Sequence, residues 1–99
     1  MWVKVAKIDE VPEGSGKVVD VNNQPIAIFK VEGKLYAIDN TCHHQGGPLG
    51  EGYLEGAVVT CPWHAWTYDV TTGECQAAPG IKQKQYGVKA EGDDILVDA

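Results

Sequence analysis

Two short stretches of this 99-residue chain place a thiol and an imidazole side by side. The first is Cys42-His43-His44-Gln45-Gly46-Gly47-Pro48-Leu49, and the second is Cys61-Pro62-Trp63-His64-Ala65-Trp66. One residue separates Cys42 from His44, and two separate Cys61 from His64. Thiolate and imidazole together suit zinc, iron or copper, whereas magnesium and calcium want oxygen donors. Familiar structural zinc sites pair Cys with Cys in one knuckle and His with His in the next. Here each loop carries one of each, an arrangement suited to a two-metal centre with unlike ends. Both thiolates would bind one metal and both imidazoles the other. On spacing alone an iron–sulfur cluster leads, and zinc or no metal at all stays open. Cys75 is left over and reads as a partly buried free thiol. His43 reads as an exposed loop residue.

The elements that must hold these loops are short and β-like. Trp2-Val3-Lys4-Val5 alternates apolar and polar residues, and Lys17–Val21, Ile26–Val31 and Leu35–Ile38 continue the pattern between turn signals. Glu32-Gly33-Lys34 forms a tight turn, because glycine takes positive φ without steric cost. Ala57–Thr60 delivers Cys61 at its end, and Trp66–Val70 is its expected antiparallel partner. Tyr86–Ala90 and Ile95–Val97 form a terminal hairpin. No window has helical periodicity. The expectation is an all-β single domain of about nine short strands. Its frame is expected at about 1–38 and 77–99, with a cluster-binding insertion at about 39–76.

Composition narrows the function. The formal net charge of −6 argues against nucleic acid, which needs clustered Lys and Arg, and fits basic protein partners. No apolar run is long enough to cross a bilayer, and the N-terminus lacks a secretory signal, so the expected location is cytoplasmic. Three cysteines make a poor disulfide framework, and in a reducing compartment Cys with His points to metal or catalysis.

The boxes Cys42-x-His44 and Cys61-x-x-His64 together resemble those of the Rieske [2Fe–2S] family. The Gly46-Gly47-Pro48-Leu49 tail and the pairs Tyr68-Asp69 and Thr72-Gly73 add to the likeness, which covers essentially the whole chain. The resemblance implies an antiparallel β-sandwich frame of six strands with an inserted cluster-binding subdomain. It implies one [2Fe–2S] cluster, with Cys42 and Cys61 on the inner iron and His44 and His64 on the outer. The family's membrane-bound members carry a disulfide between the loops; the matching positions here are Gly47 and Trp63, so that bond cannot form. Their hydroxyl donor to a cluster sulfur falls at Trp66, whereas Tyr68 matches their second donor. Fewer donors imply a reduction potential low in the Rieske range, near roughly −150 mV. Ala78-Pro79-Gly80 resembles the family's proline loop. Trp63 and Trp66 are expected to shield the cluster.

A cluster with every position filled leaves no place for substrate, so the resemblance implies a carrier and not a catalyst. It is most similar to the soluble ferredoxins of bacterial aromatic-ring dioxygenases, which take single electrons from a flavin-dependent reductase to a terminal oxygenase. The protein is expected to be a monomer. A Rieske-like small subunit of an NAD(P)H nitrite reductase is the alternative, and a zinc-bound interaction module a remote one. Glu51, Glu55, Asp69 and Glu74 are candidate docking charges.

Overall fold

The computed structural model describes residues 1–42, 46–63, 66–78 and 80–98. The strands are β1 (Trp2–Lys7), β2 (Gly16–Val21), β3 (Gln24–Val31), β4 (Lys34–Asp39), β5 (Tyr53–Glu55), β6 (Val58–Thr60), β7 (Thr67–Asp69), β8 (Gln85–Glu91) and β9 (Asp94–Asp98). Short 3₁₀ turns occupy Ile8–Glu10 and Leu49–Glu51. Six strands form one antiparallel sheet in the order β1-β9-β8-β4-β3-β2, and β5-β6-β7 form a second. The all-β reading holds. The strand at Tyr53–Glu55 was not foreseen: it has three residues between Gly52 and Gly56, too few to show alternation.

β3 explains how the two sheets share one molecule. Its run Ile26-Ala27-Ile28-Phe29 is fully buried. Successive side chains on a strand point to opposite faces. Ile26 and Ile28 join Val19, Val21, Ala37, Ile95 and Val97 in a core inside the large sheet. Ala27 and Phe29 join Ile38, Leu49, Val59, Tyr68 and Val70 in a second core beneath the small sheet. β3 is therefore a wall between two cores, which is why it reads as a continuous apolar run and not as alternation. Fully burying a side chain such as Phe29 contributes about 1.5–3 kcal/mol.

The turns keep this wall in register. The β3–β4 hairpin closes through Glu32 and Gly33 at φ 51° and 77°. Glu32 is held in that costly conformation from outside, because the Glu13 carboxylate accepts the backbone N–H groups of Glu32 at 2.6 Å and Gly33 at 2.8 Å. These bonds hold the Glu13 carboxyl below its ordinary value of 4.5. The Asp94 carboxyl is likewise held below its ordinary 3.8, first by a hydrogen bond from Lys4, with Lys7 adding attraction. Carboxyls with lowered folded-state values stabilise the fold above their unfolded values and lose that contribution as the pH falls through the folded ones. Stability is therefore expected to decline as the pH drops below about 4.5. Glu13→Gln should flatten part of that acid limb in thermal melts recorded against pH; an identical limb would show that the carboxylate is not coupled to folding.

Candidate metal centre

Both boxes grow out of paired backbone. The first begins where β4 ends. The Cys42 N–H donates to Gly47 O and the Gly46 N–H to Cys42 O, each at 2.9 Å, while the Leu49 N–H returns to Asn40 O at 2.8 Å. Buried Asn40 braces this base, its Oδ1 accepting the Gly50 N–H at 2.8 Å. The second box is the β6–β7 connection, closed by the Cys61 N–H donating to Trp66 O at 2.7 Å. Register pairs Val59 with both Leu54 and Tyr68, so the same row of the small sheet faces the core.

These constraints bring Cys42 and Cys61 together in the second core, each only 2% exposed. Burial pushes the Cys61 thiol up; a backbone hydrogen bond at Trp63 opposes the rise, and the adjacent Cys42 thiol adds to it. The Tyr68 hydroxyl lies 3.4 Å from Cys42 Sγ, and the Tyr68 ring is fully buried. The approach of the loops is tight: a Cβ at Gly47 would sit 2.5 Å from Cys61 Sγ and 3.2 Å from Cβ and Cγ of Trp63. A side chain at this position would push the Cys61 sulfur aside or the two boxes apart. Trp63 is 51% exposed, so it covers the site only in part, while Trp66 is half-buried against the core.

His44 and His64 lie outside the described residues, as do His43 and Pro79. The described donors fit a [2Fe–2S] centre: two desolvated thiols side by side, one of them beside a phenolic hydroxyl able to donate to a thiolate. Cys75 is also buried and free in the same core, antiparallel to Tyr68 through an isolated bridge. Tyr68→Phe is expected to lower the reduction potential. A donor bond worth about 1 kcal/mol more to the reduced state corresponds to about 40 mV for one electron. An unchanged potential would show that the hydroxyl does not reach the sulfur.

Two antiparallel sheets that bring two buried thiols together where their loops meet form a frame suited to an iron–sulfur cluster. Residues 1–95 match the Rieske [2Fe-2S] domain, and the chain belongs to that family. Its cofactor is accordingly one such cluster. Among its relatives is the ferredoxin component of the naphthalene 1,2-dioxygenase system of Pseudomonas aeruginosa, 38% identical over 98 residues covering 98% of this chain and 94% of that one. The ferredoxin of carbazole 1,9a-dioxygenase from Nocardioides aromaticivorans IC177 superposes with a TM-score of 0.89 at 30% identity, covering 98% of this chain and 96% of its own. A complex of reduced oxygenase and oxidised ferredoxin in carbazole 1,9a-dioxygenase contains a chain matched with a TM-score of 0.88 at 30% identity, over 97% of this chain and 91% of that one.

Sequence reasoning missed one buried polar side chain near the site. Gln83 is 1% exposed and donates to the carbonyls on either side of Asn40. Its neighbours Lys82 and Lys84 give the segment the look of a solvated connection, and no local signal marks the glutamine.

Proposed function

We propose that this protein is a ferredoxin that carries single electrons from a flavin-dependent reductase to the terminal oxygenase of an aromatic-ring dioxygenase system. The observation that carries the reading is the meeting of Cys42 and Cys61, both buried, at the junction of the two boxes. Cys42 and Cys61 hold the inner iron, and His44 and His64 hold the outer. Bound there, the [2Fe–2S] centre supplies one reversible one-electron step and leaves no position for water or substrate. The chain's own work is to position that centre and tune it. The core of Phe29, Leu49, Val59 and Tyr68 excludes water from the thiolates, and the Tyr68 hydroxyl favours extra negative charge at Cys42. A cluster with every position filled offers a substrate no place to bind, so we read the protein as a component of an oxidoreductase system and not an enzyme by itself. It works as a cytoplasmic monomer. We take about 1–38 and 77–99 as its frame and about 39–76 as its cluster-binding part.

Charge supports protein partners. Residues 40–76 contain four acidic side chains, Glu51, Glu55, Asp69 and Glu74, and no Lys or Arg, so −4 of the net −6 falls on the segment with the site. Glu51, Glu55 and Glu74 are exposed. Oppositely charged surfaces steer encounter, and salt screens that steering. The test is stopped-flow electron transfer from a dioxygenase-type flavin reductase to this protein, and from it to the oxygenase. The rate is expected to fall by about tenfold from low to high salt, the low end of what steering spans. Failure to accept electrons from any such reductase would overturn the reading.

A further inference from the structure

The best-buried side-chain amide among the described residues is that of Gln83, outside both boxes. Its Nε2 donates to Asp39 O at 2.8 Å and to Thr41 O at 2.7 Å. The amide orientation is fixed by this geometry, since a flipped amide would set its oxygen against two carbonyl oxygens. Its Oε1 is buried with no hydrogen-bond partner among the described residues. A hydrocarbon side chain of that size would avoid the cost of an unpaired buried oxygen, so the contribution of this amide lies in its two N–H donors.

One of those donors acts on the peptide that launches Cys42. The Thr41 carbonyl belongs to the peptide whose N–H is that of Cys42. Gln83 grips the carbonyl end, and Gly47 O accepts the N–H end at 2.9 Å. The plane from which the Cys42 side chain springs is thus held at both edges. Gln83 is itself anchored to the other half of the site, because its backbone N–H donates to Gly73 O at 2.7 Å, in the turn just after β7. Its neighbours continue the strap: the Cys75 N–H donates to Ile81 O and the Asp39 N–H to Lys84 O, each at 2.9 Å. One buried residue, through its backbone N–H and its side-chain amide, therefore ties the turn that follows the Tyr68 strand to the backbone that launches Cys42.

We propose that Gln83 is a positioning residue for the cluster: through the Thr41–Cys42 peptide it fixes the Cys42 sulfur relative to the Tyr68 hydroxyl. This rests on Cys42 being a ligand. The test compares the holoprotein with Gln83→Met, which keeps the volume and removes both donors, and Gln83→Glu, which once protonated donates to one carbonyl. In Gln83→Met, iron release to a chelator should be about tenfold faster, the factor supported by loss of the bond to Thr41 O, the one of the two that bears on the Cys42 peptide. The g-values of the reduced cluster and its midpoint potential should move, and hydrogen–deuterium exchange across residues 39–49 should quicken. Gln83→Glu should fall between Met and wild type. Wild-type g-values and potential in Gln83→Met, however far its melting temperature drops, would reduce Gln83 to a space-filling role. If Gln83→Met does not fold, the same two readouts in Gln83→Glu decide. A wild-type protein lacking the reduced-cluster signal would instead overturn the ligand reading itself.

Discussion

Gly47→Ala is expected to strip most of the cluster from the protein while leaving both sheets folded. The added methyl would lie 2.5 Å from Cys61 Sγ and 3.2 Å from the Trp63 side chain. In the metal-free chain the sulfur could yield by a small rotation. With Cys61 bound to iron, as proposed, the sulfur would be held at both ends and the loops would have to part. Overpacking of this kind costs typically about 1–3 kcal/mol, a factor of roughly 5 to 150 in occupancy. Iron content and visible absorbance of the purified variant measure the effect, and far-ultraviolet circular dichroism checks the fold. Full iron content would show that the loops tolerate a wider separation. Gly47 is thus the space in which the two boxes meet.

His64→Cys is expected to lower the potential while keeping a cluster. A thiolate in place of a neutral imidazole adds a negative charge at the outer iron, and the added electron becomes less welcome. Plant-type clusters with four thiolates lie near −400 mV and the lowest Rieske centres near −150 mV, a gap of roughly 250 mV for two such exchanges. One exchange should therefore lower the potential by on the order of 100 mV. Direct electrochemistry reads the shift. An unchanged potential with a full cluster would remove His64 from the ligand set.

Much of the frame was legible because its strands obey simple periodicities. β1 alternates, and the β3–β4 hairpin is marked by Glu32-Gly33. The run from Ile26 to Phe29 announced burial without saying on what; the structure shows that it faces two cores. Pairing between distant strands was less legible. Ala37 meets Tyr86 across almost fifty residues, and β1 closes against β9. Nothing local encodes either pairing. The small sheet was half read: β6 and β7 were expected from their apolar residues, but β5 is three residues of which Leu54 packs against the core while its two neighbours are exposed.

At the site, residue type and spacing pointed to Cys42 and Cys61, and the structure brings them together. Tyr68 was singled out by family resemblance, and its hydroxyl is found beside Cys42 Sγ. The absence of a side chain at Gly47 figured in the sequence as a missing disulfide partner, and the structure adds a packing requirement. Gln83 could not have been found from sequence. A glutamine between two lysines ordinarily faces water, and here it is buried because two backbone carbonyls next to the first box need donors.

The most direct test of the central claim is electron paramagnetic resonance of the purified protein before and after dithionite. The oxidised sample should be silent, and the reduced one should show the rhombic, low-average-g signal of a [2Fe–2S] cluster with histidine ligands. A colourless protein that stays silent after reduction and contains zinc would contradict the account and leave the two boxes as an interaction module.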